Sequence, residues 1–106
     1  MEILVPISIG ELYDKITILQ IKKERITDLL KLQNIQKELD ELELILNKVW
    51  NKVGFDNVMF VHLKDINEKL WDVEDKLRIK EKNKLHDEEF IQLARSVYFM
   101  NDKRSE

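Results

Sequence analysis

Apolar side chains recur in steps of three and four along most of this chain, a spacing that predicts helices rather than strands. The first run opens at Pro6-Ile7-Ser8-Ile9-Gly10-Glu11-Leu12. There Ser8 can accept from the orphan N–H groups of a first turn, and Glu11 stands three residues on to bond back, the arrangement of a capping box. Ile7 and Leu12 fit the two halves of a hydrophobic staple, and Pro6 holds the residue before it extended, so residues 1–7 are expected as an extended lead-in. Leu12, Ile16, Leu19, Ile26 and Leu30 then follow one face, interrupted by Lys23, while Ile18, Ile21, Leu29 and Leu32 follow a neighbouring one. Two apolar lines predict a helix covered from more than one direction. Asp28 can cap a new helix, which favours a break or kink near Thr27-Asp28 over one continuous rod.

Further on, Leu32, Ile35, Leu39, Leu42, Leu46, Val49 and Val53 form a heptad seam of the coiled-coil kind. Gly54 supplies the left-handed residue that ends many helices. Asp56 or Asn57 can cap a third helix, in which Met59, Leu63, Ile66, Leu70, Val73 and Leu77 keep the same spacing to about Glu81. Lys82-Asn83-Lys84 reads as the next connection. Asp87 is a natural cap, with Glu88 and Glu89 favourably placed in the first turn of a last helix marked by Phe90, Ile91, Ala94, Val97 and Tyr98. The pattern is still helical at Ser105-Glu106, which reads as a final helix cut short. Four helical segments with short connections predict an all-α single domain over residues 1–106, an antiparallel helical hairpin or bundle.

Composition narrows the class of function. Two glycines and one proline among 106 residues argue against a turn-rich β fold, and the lack of cysteine removes disulfide scaffolds, thiol catalysis and thiolate zinc sites. A net charge of −3 gives no electrostatic footprint for nucleic acid. The densest basic stretch, Lys80-Glu81-Lys82-Asn83-Lys84, has an acid within it and reads as a solvated helix end. The apolar run Ile3-Leu4-Val5-Pro6-Ile7 is too short for a signal-peptide core, and no stretch approaches the ~18 apolar residues of a membrane span. A cytoplasmic protein with neither membrane nor nucleic-acid partner is expected. Lysine outnumbers arginine 14 to 4, so the arginines, the two tryptophans and the glycines are the more informative positions.

Three stretches together carry a resemblance. They are Pro6-x-Ser8-x-Gly10-Glu11-Leu12-x-Asp14-Lys15-Ile16-Thr17-Ile18-Leu19 running into Lys22-x-Glu24-Arg25-Ile26, then Asn67-x-x-Leu70-Trp71-x-x-Glu74-Asp75, then Leu93-Ala94-Arg95-Ser96-Val97-Tyr98-x-x-Asn101-Asp102-x-Arg104. The set resembles a family of small bacterial and phage proteins, domain of unknown function 6165, over nearly the whole chain. The resemblance implies a compact helical protein, encoded in some genomes near surface-glycan synthesis genes, and it brings no activity or functional residues with it. The chain departs from the family pattern at Leu29, where a proline after the aspartate is usual, and in lacking the rest of the final helix.

Candidate chemistry is sparse. His62 has no second histidine one turn on, and His86 beside Asp87-Glu88-Glu89 is explained by helix capping, so no metal is expected. Glu38-x-x-Glu41 and Asp72-x-x-Asp75 are similar to the magnesium carboxylates of all-α nucleotide pyrophosphohydrolases, but each also suits ordinary surface pairing with Lys37, Lys76 or Arg78. Ser8 reads as a cap, Ser96 has no histidine nearby in sequence, and Ser105 is at the terminus. A second enzyme reading follows the small all-helical chorismate mutases, which gather Arg, Lys and Glu from several helices around a dicarboxylate without a cofactor. Lys15, Lys22 and Arg25 share one side of the first helix; Asn67, Trp71, Glu74 and Arg78 form a stripe beside the third seam; Arg95, Tyr98 and Asp102 repeat that spacing on the last. Facing one another, these stripes would make an anion-binding pocket with an aromatic wall; the simpler reading is salt bridges and aromatic packing at the rim of a core.

The leading expectation is therefore a non-catalytic interaction module, joining a second copy of itself as a dimer, or another protein, through the 32–53 seam or the doubly apolar first helix. The alternative is a small enzyme or anionic small-molecule binder built on Arg25, Asn67, Trp71, Glu74, Arg78, Arg95, Tyr98 and Asp102. Neither calls for a cofactor.

Overall fold

The computed structural model describes residues 1–105, the side chain of Ser105 excepted. The protein is all-α: four helices hold 82% of the described residues, and no strand occurs among them. They are α1 (Ile9–Arg25), α2 (Leu29–Val53), α3 (Asn57–Lys82) and α4 (Glu88–Ser105). The expectation of a helix cut short at Ser105-Glu106 falls, at Glu106, outside the described residues.

Each helix starts on the side chain suited to start it. Ser8, in extended backbone, accepts from the Glu11 N–H at 3.1 Å. Asp28 Oδ1 accepts from the N–H groups of Leu30 and Lys31 at 3.0 and 3.1 Å. Of the two cap candidates for α3, it is Asp56 that acts, taking the Met59 N–H at 3.0 Å. Asp87 Oδ1 takes the Phe90 N–H at 2.9 Å. Such caps satisfy donors that no helical carbonyl can reach, each worth typically ~1 kcal/mol. Asp28 is also the reason the chain breaks where it does: Ile26 and Asp28 are both extended, separating α1 from α2.

The chain divides into two compact units, Met1–Lys64 and Asp65–Glu106. In the first, Leu12, Ile16 and Leu19 of α1 close on Ile35 and Leu39 of α2, with Ile26, Leu42, Leu46, Val49 and Phe60 packed around them. Burying aliphatic side chains of this size stabilises by about 1.5–3 kcal/mol each. The expected seam on α2 is thus covered by the chain's own α1 over Ile35 and Leu39, and opens to solvent at Val53. Tyr13, early in α1, meets Phe55, just beyond the end of α2, so the two helices run antiparallel. Lys64 Nζ, in α3, pairs with Glu24 Oε1 of α1 at 3.0 Å.

The first helix is indeed covered on two faces, but the second line keeps only Ile21 of the residues expected on it: it is Tyr13, Thr17 and Ile21, all 1% exposed or less. Ile18 is only half-buried, and Leu29 and Leu30 stand exposed at the start of α2. The Thr17 hydroxyl satisfies itself inside the helix, donating to the Asp14 carbonyl at 2.8 Å.

In the second unit, the rest of α3 buries Ile66, Asn67 and Leu70. α4 presents Phe90, Leu93, Ala94, Val97 and Met100 at half-burial and turns Ile91, Tyr98 and Phe99 to solvent. The turn between them is stapled twice. Lys84, at φ 56°, lets its N–H reach the Glu81 carbonyl and the Leu85 N–H reach the Lys80 carbonyl, a Schellman arrangement. Lys80 Nζ then lies 3.1 Å from Asp87 Oδ2 and 3.3 Å from Glu89 Oε2, tying the end of α3 to the start of α4.

Candidate functional site

Of the eight residues proposed for an anionic-ligand site, Arg25 ends α1 in the first unit, and the other seven lie in the second. The α3 stripe runs from inside to outside: Asn67 is buried, Trp71 half-buried, Glu74 and Arg78 exposed. Arg78 Nη2 is 3.4 Å from Asp75 Oδ1 on its own helix, an i,i+3 pair of the ordinary surface kind. On α4, Arg95, Tyr98 and Asp102 are all exposed, Tyr98 at 78%. Ser96 donates to the Leu93 carbonyl at 2.6 Å, a helix-internal bond that does not prime a nucleophile. Among the described residues no three His, Asp or Glu side chains are grouped to hold a metal ion.

Charge is concentrated instead at the α3–α4 turn. The Lys80 ammonium is held above its ordinary pKa, first by its hydrogen bond to Asp87, with Glu89 adding to it. The Asp87 carboxyl is held below its ordinary value, first by the Phe90 N–H and then by Lys80. His86 Nε2 stands 2.8 Å from Glu81 Oε2 and edge-on to the Phe90 ring. Capping and pairing account for every group in this cluster.

A more distinctive feature lies at the corner where α2 turns into α3. Gly54 there has φ 81° and ψ 177°, backbone that is essentially restricted to glycine, and it swings Phe55 inward. Phe55 stacks on Trp50 with centroids 4.9 Å apart and tilts against Tyr13 and Phe60 at 5.3 Å each. The Asp56 N–H donates to the Tyr13 hydroxyl at 3.0 Å, so a buried aromatic ring carries its one polar atom to a backbone donor left over by the turn. Beside this cluster opens a depression of about 660 Å³, edged by Ile9, Tyr13, Val53, Phe55, Val58 and Met59. Its lining is mostly apolar, and the one carboxylate in it, Asp56, already caps α3. The depression suits apolar side chains and offers no nucleophile.

The aromatic corner is what a reading along the chain missed. Its signal was Phe55, a large apolar residue immediately after a helix-ending glycine, where connections are otherwise polar. Comparison with protein-family profiles, with curated proteins and with solved structures found no match to this chain. No helix is long and apolar enough to cross a membrane among the described residues.

Proposed function

We propose that this protein is a non-catalytic helical interaction module of the cytoplasm that associates with a second copy of itself. One observation supports the reading above the others. Leu29, Leu30, Leu44, Val53, Val58 and Val61 stand between 56% and 80% exposed in the first unit, although that unit already has a closed core. Of these, Val53 and Val58 share one depression with Ile9 and Met59, and exposed apolar patches mark interaction surfaces, whereas Leu29 and Leu30 lie at the other end of α2. Because α1 covers Ile35 and Leu39, association uses the apolar residues left outside rather than that part of the heptad seam. Kinship with the helical family named above is proposed alongside, on the residues quoted for it.

Sedimentation equilibrium tests the proposal. A mass of two chains is expected at micromolar concentration, with dissociation on dilution. A strictly single-chain species at high micromolar concentration overturns it.

A further inference from the structure

We infer that the outward stripe of α4 packs on the same stripe of a second copy, antiparallel, with Arg95 of each chain facing Asp102 of the other. The inference rests on the self-association proposed above and adds to it a contact made by the second unit.

α4 has two faces. Leu93, Ala94, Val97 and Met100 are half-buried, while Ile91, Arg95, Tyr98, Phe99 and Asp102 stand exposed. At 3.6 residues per turn the exposed set falls within an arc of about 100°, so it forms one stripe. Tyr98 at 78% and Phe99 at 68% leave two neighbouring aromatic rings in water. Arg95 and Asp102 take part in no ion pair among the described residues, whereas Arg78 on α3 pairs with Asp75 of its own helix. About 10.5 Å along the helix axis, two turns, separates the Arg95 and Asp102 positions.

The order of charges on the stripe selects its partner. Arg95 lies three residues before Tyr98 and Asp102 three residues after Phe99, so the midpoint of the two charges falls between the two rings. A two-fold axis through that midpoint, perpendicular to α4, lays the stripe antiparallel on itself. It sets Arg95 opposite Asp102 twice and Tyr98 opposite Phe99 twice. An axis parallel to the helix would set Arg95 against Arg95 and Asp102 against Asp102, like charges whose apposition carries a cost. The stripe is therefore complementary to itself in one orientation and one register, which a second copy requires and an unrelated partner does not. Packed helix axes lie about 8–10 Å apart, a gap that opposed Arg and Asp side chains can bridge.

The contact is small. An aromatic side chain buries about 150–250 Å², so four rings at 78% and 68% exposure hide at most about 700 Å² between the two copies. That size belongs to weak, reversible contacts, in which charge rather than area sets the orientation.

Charge reversal tests the pairing. Arg95→Glu leaves acids at both ends of the stripe, and Asp102→Lys leaves bases at both ends; the incoming residues are good helix formers. Each variant alone is expected to dimerise at least tenfold more weakly than the wild type in sedimentation equilibrium. An equimolar mixture of the two is expected to regain the wild-type affinity as a heterodimer, because each acid then meets a base. Helix content by circular dichroism verifies that the variants fold. Should either fail to fold, Tyr98→Glu, which sets two carboxylates beside the axis, is expected to weaken the dimer at least tenfold, and a wild-type affinity in that variant overturns the inference. Charge-reversed chains that each dimerise as tightly as the wild type overturn it and leave self-association standing. Variants weakened alone and no tighter when mixed do the same, since the two charges then do not face each other. A wild-type chain that is monomeric at high micromolar concentration, as it would be if the stripe took a helix of another protein, removes both proposals together.

Discussion

Two residues with positive φ sit at equivalent places, each just past a long helix, and they have opposite relations to their side chains. Gly54 occupies backbone that a Cβ disfavours, although nothing lies within 4 Å of where that Cβ would be, so strain alone makes glycine necessary there. Gly54→Ala is expected to cost about 1–3 kcal/mol in urea unfolding and to loosen the Phe55–Trp50 stack, read as a change in tryptophan fluorescence. Lys84 adopts the left-handed conformation without being glycine. Lys84→Gly removes that penalty of about 1–2 kcal/mol but gives the unfolded chain freedom worth about 0.4–1 kcal/mol, so a net gain of about 1 kcal/mol or less is expected in the same experiment. Gly54 could be read as a helix end because glycine announces its backbone, though its ψ is extended where the left-handed helical value was expected. Lys84 carried no such mark, and the connection at 82–84 was legible only as polar.

Among the elements, α1 is held by two different kinds of contact, and a single substitution separates them. Leu12, Ile16 and Leu19 press on α2, while Tyr13 reaches the following corner by its hydroxyl. Tyr13→Phe keeps the ring among Phe55 and Phe60 but leaves the Asp56 N–H without its acceptor. A loss of about 1 kcal/mol by thermal or urea unfolding is expected, with the fold unchanged. The first apolar line of α1, the Asp28 break and the cap at Asp87 were legible because each is a local pattern of neighbours in sequence. Tyr13–Asp56 was not, since a bond between residues 43 apart depends on how two helices are rotated about their axes. Thr17 stayed hidden for a related reason: a threonine that satisfies its own hydroxyl looks polar in sequence and behaves as core. The candidate stripes on α3 and α4 belong with these, because spacing places residues on one face and says nothing of what that face meets.

The α3–α4 staple has a pH dependence whose direction follows from its two shifted groups. Asp87 is lowered in the folded chain, so its contribution is present above the ordinary carboxylate pKa near ~3.9 and is lost as pH falls through the lower folded value. Lys80 is raised, so its contribution is present below the ordinary lysine pKa near ~10.4 and is lost as pH climbs through the higher folded value. Both are intact at neutral pH. Acidification below about pH 4 should therefore fray the first turn of α4, followed at the Phe90 amide by NMR. Asp87→Asn retains a capping oxygen and lacks the titrating charge. The variant should lose the Asp87 contribution to this acid transition while keeping α4 helical at neutral pH; an unchanged transition would remove the staple from the account.

For the molecule as a whole, the distribution of burial sets where it opens. The first unit holds Leu12, Ile16, Leu19, Ile35 and Leu39 in one closed cluster. α4, by contrast, has no fully buried side chain among its described residues; its inward positions are half-buried, and its attachment to α3 at the turn rests on exposed carboxylates. Helices with little buried apolar area gain little from tertiary packing, which supplies most helical stability in short proteins. Opening of α4 should consequently cost less than global unfolding. Native-state hydrogen exchange is expected to show the amides of Leu93 and Val97 exchanging at a lower free energy, and with a smaller denaturant dependence, than those of Ile16 and Leu39. Equal protection across both sets would mean that the chain unfolds as one cooperative body, and that half-burial along α4 suffices to lock it.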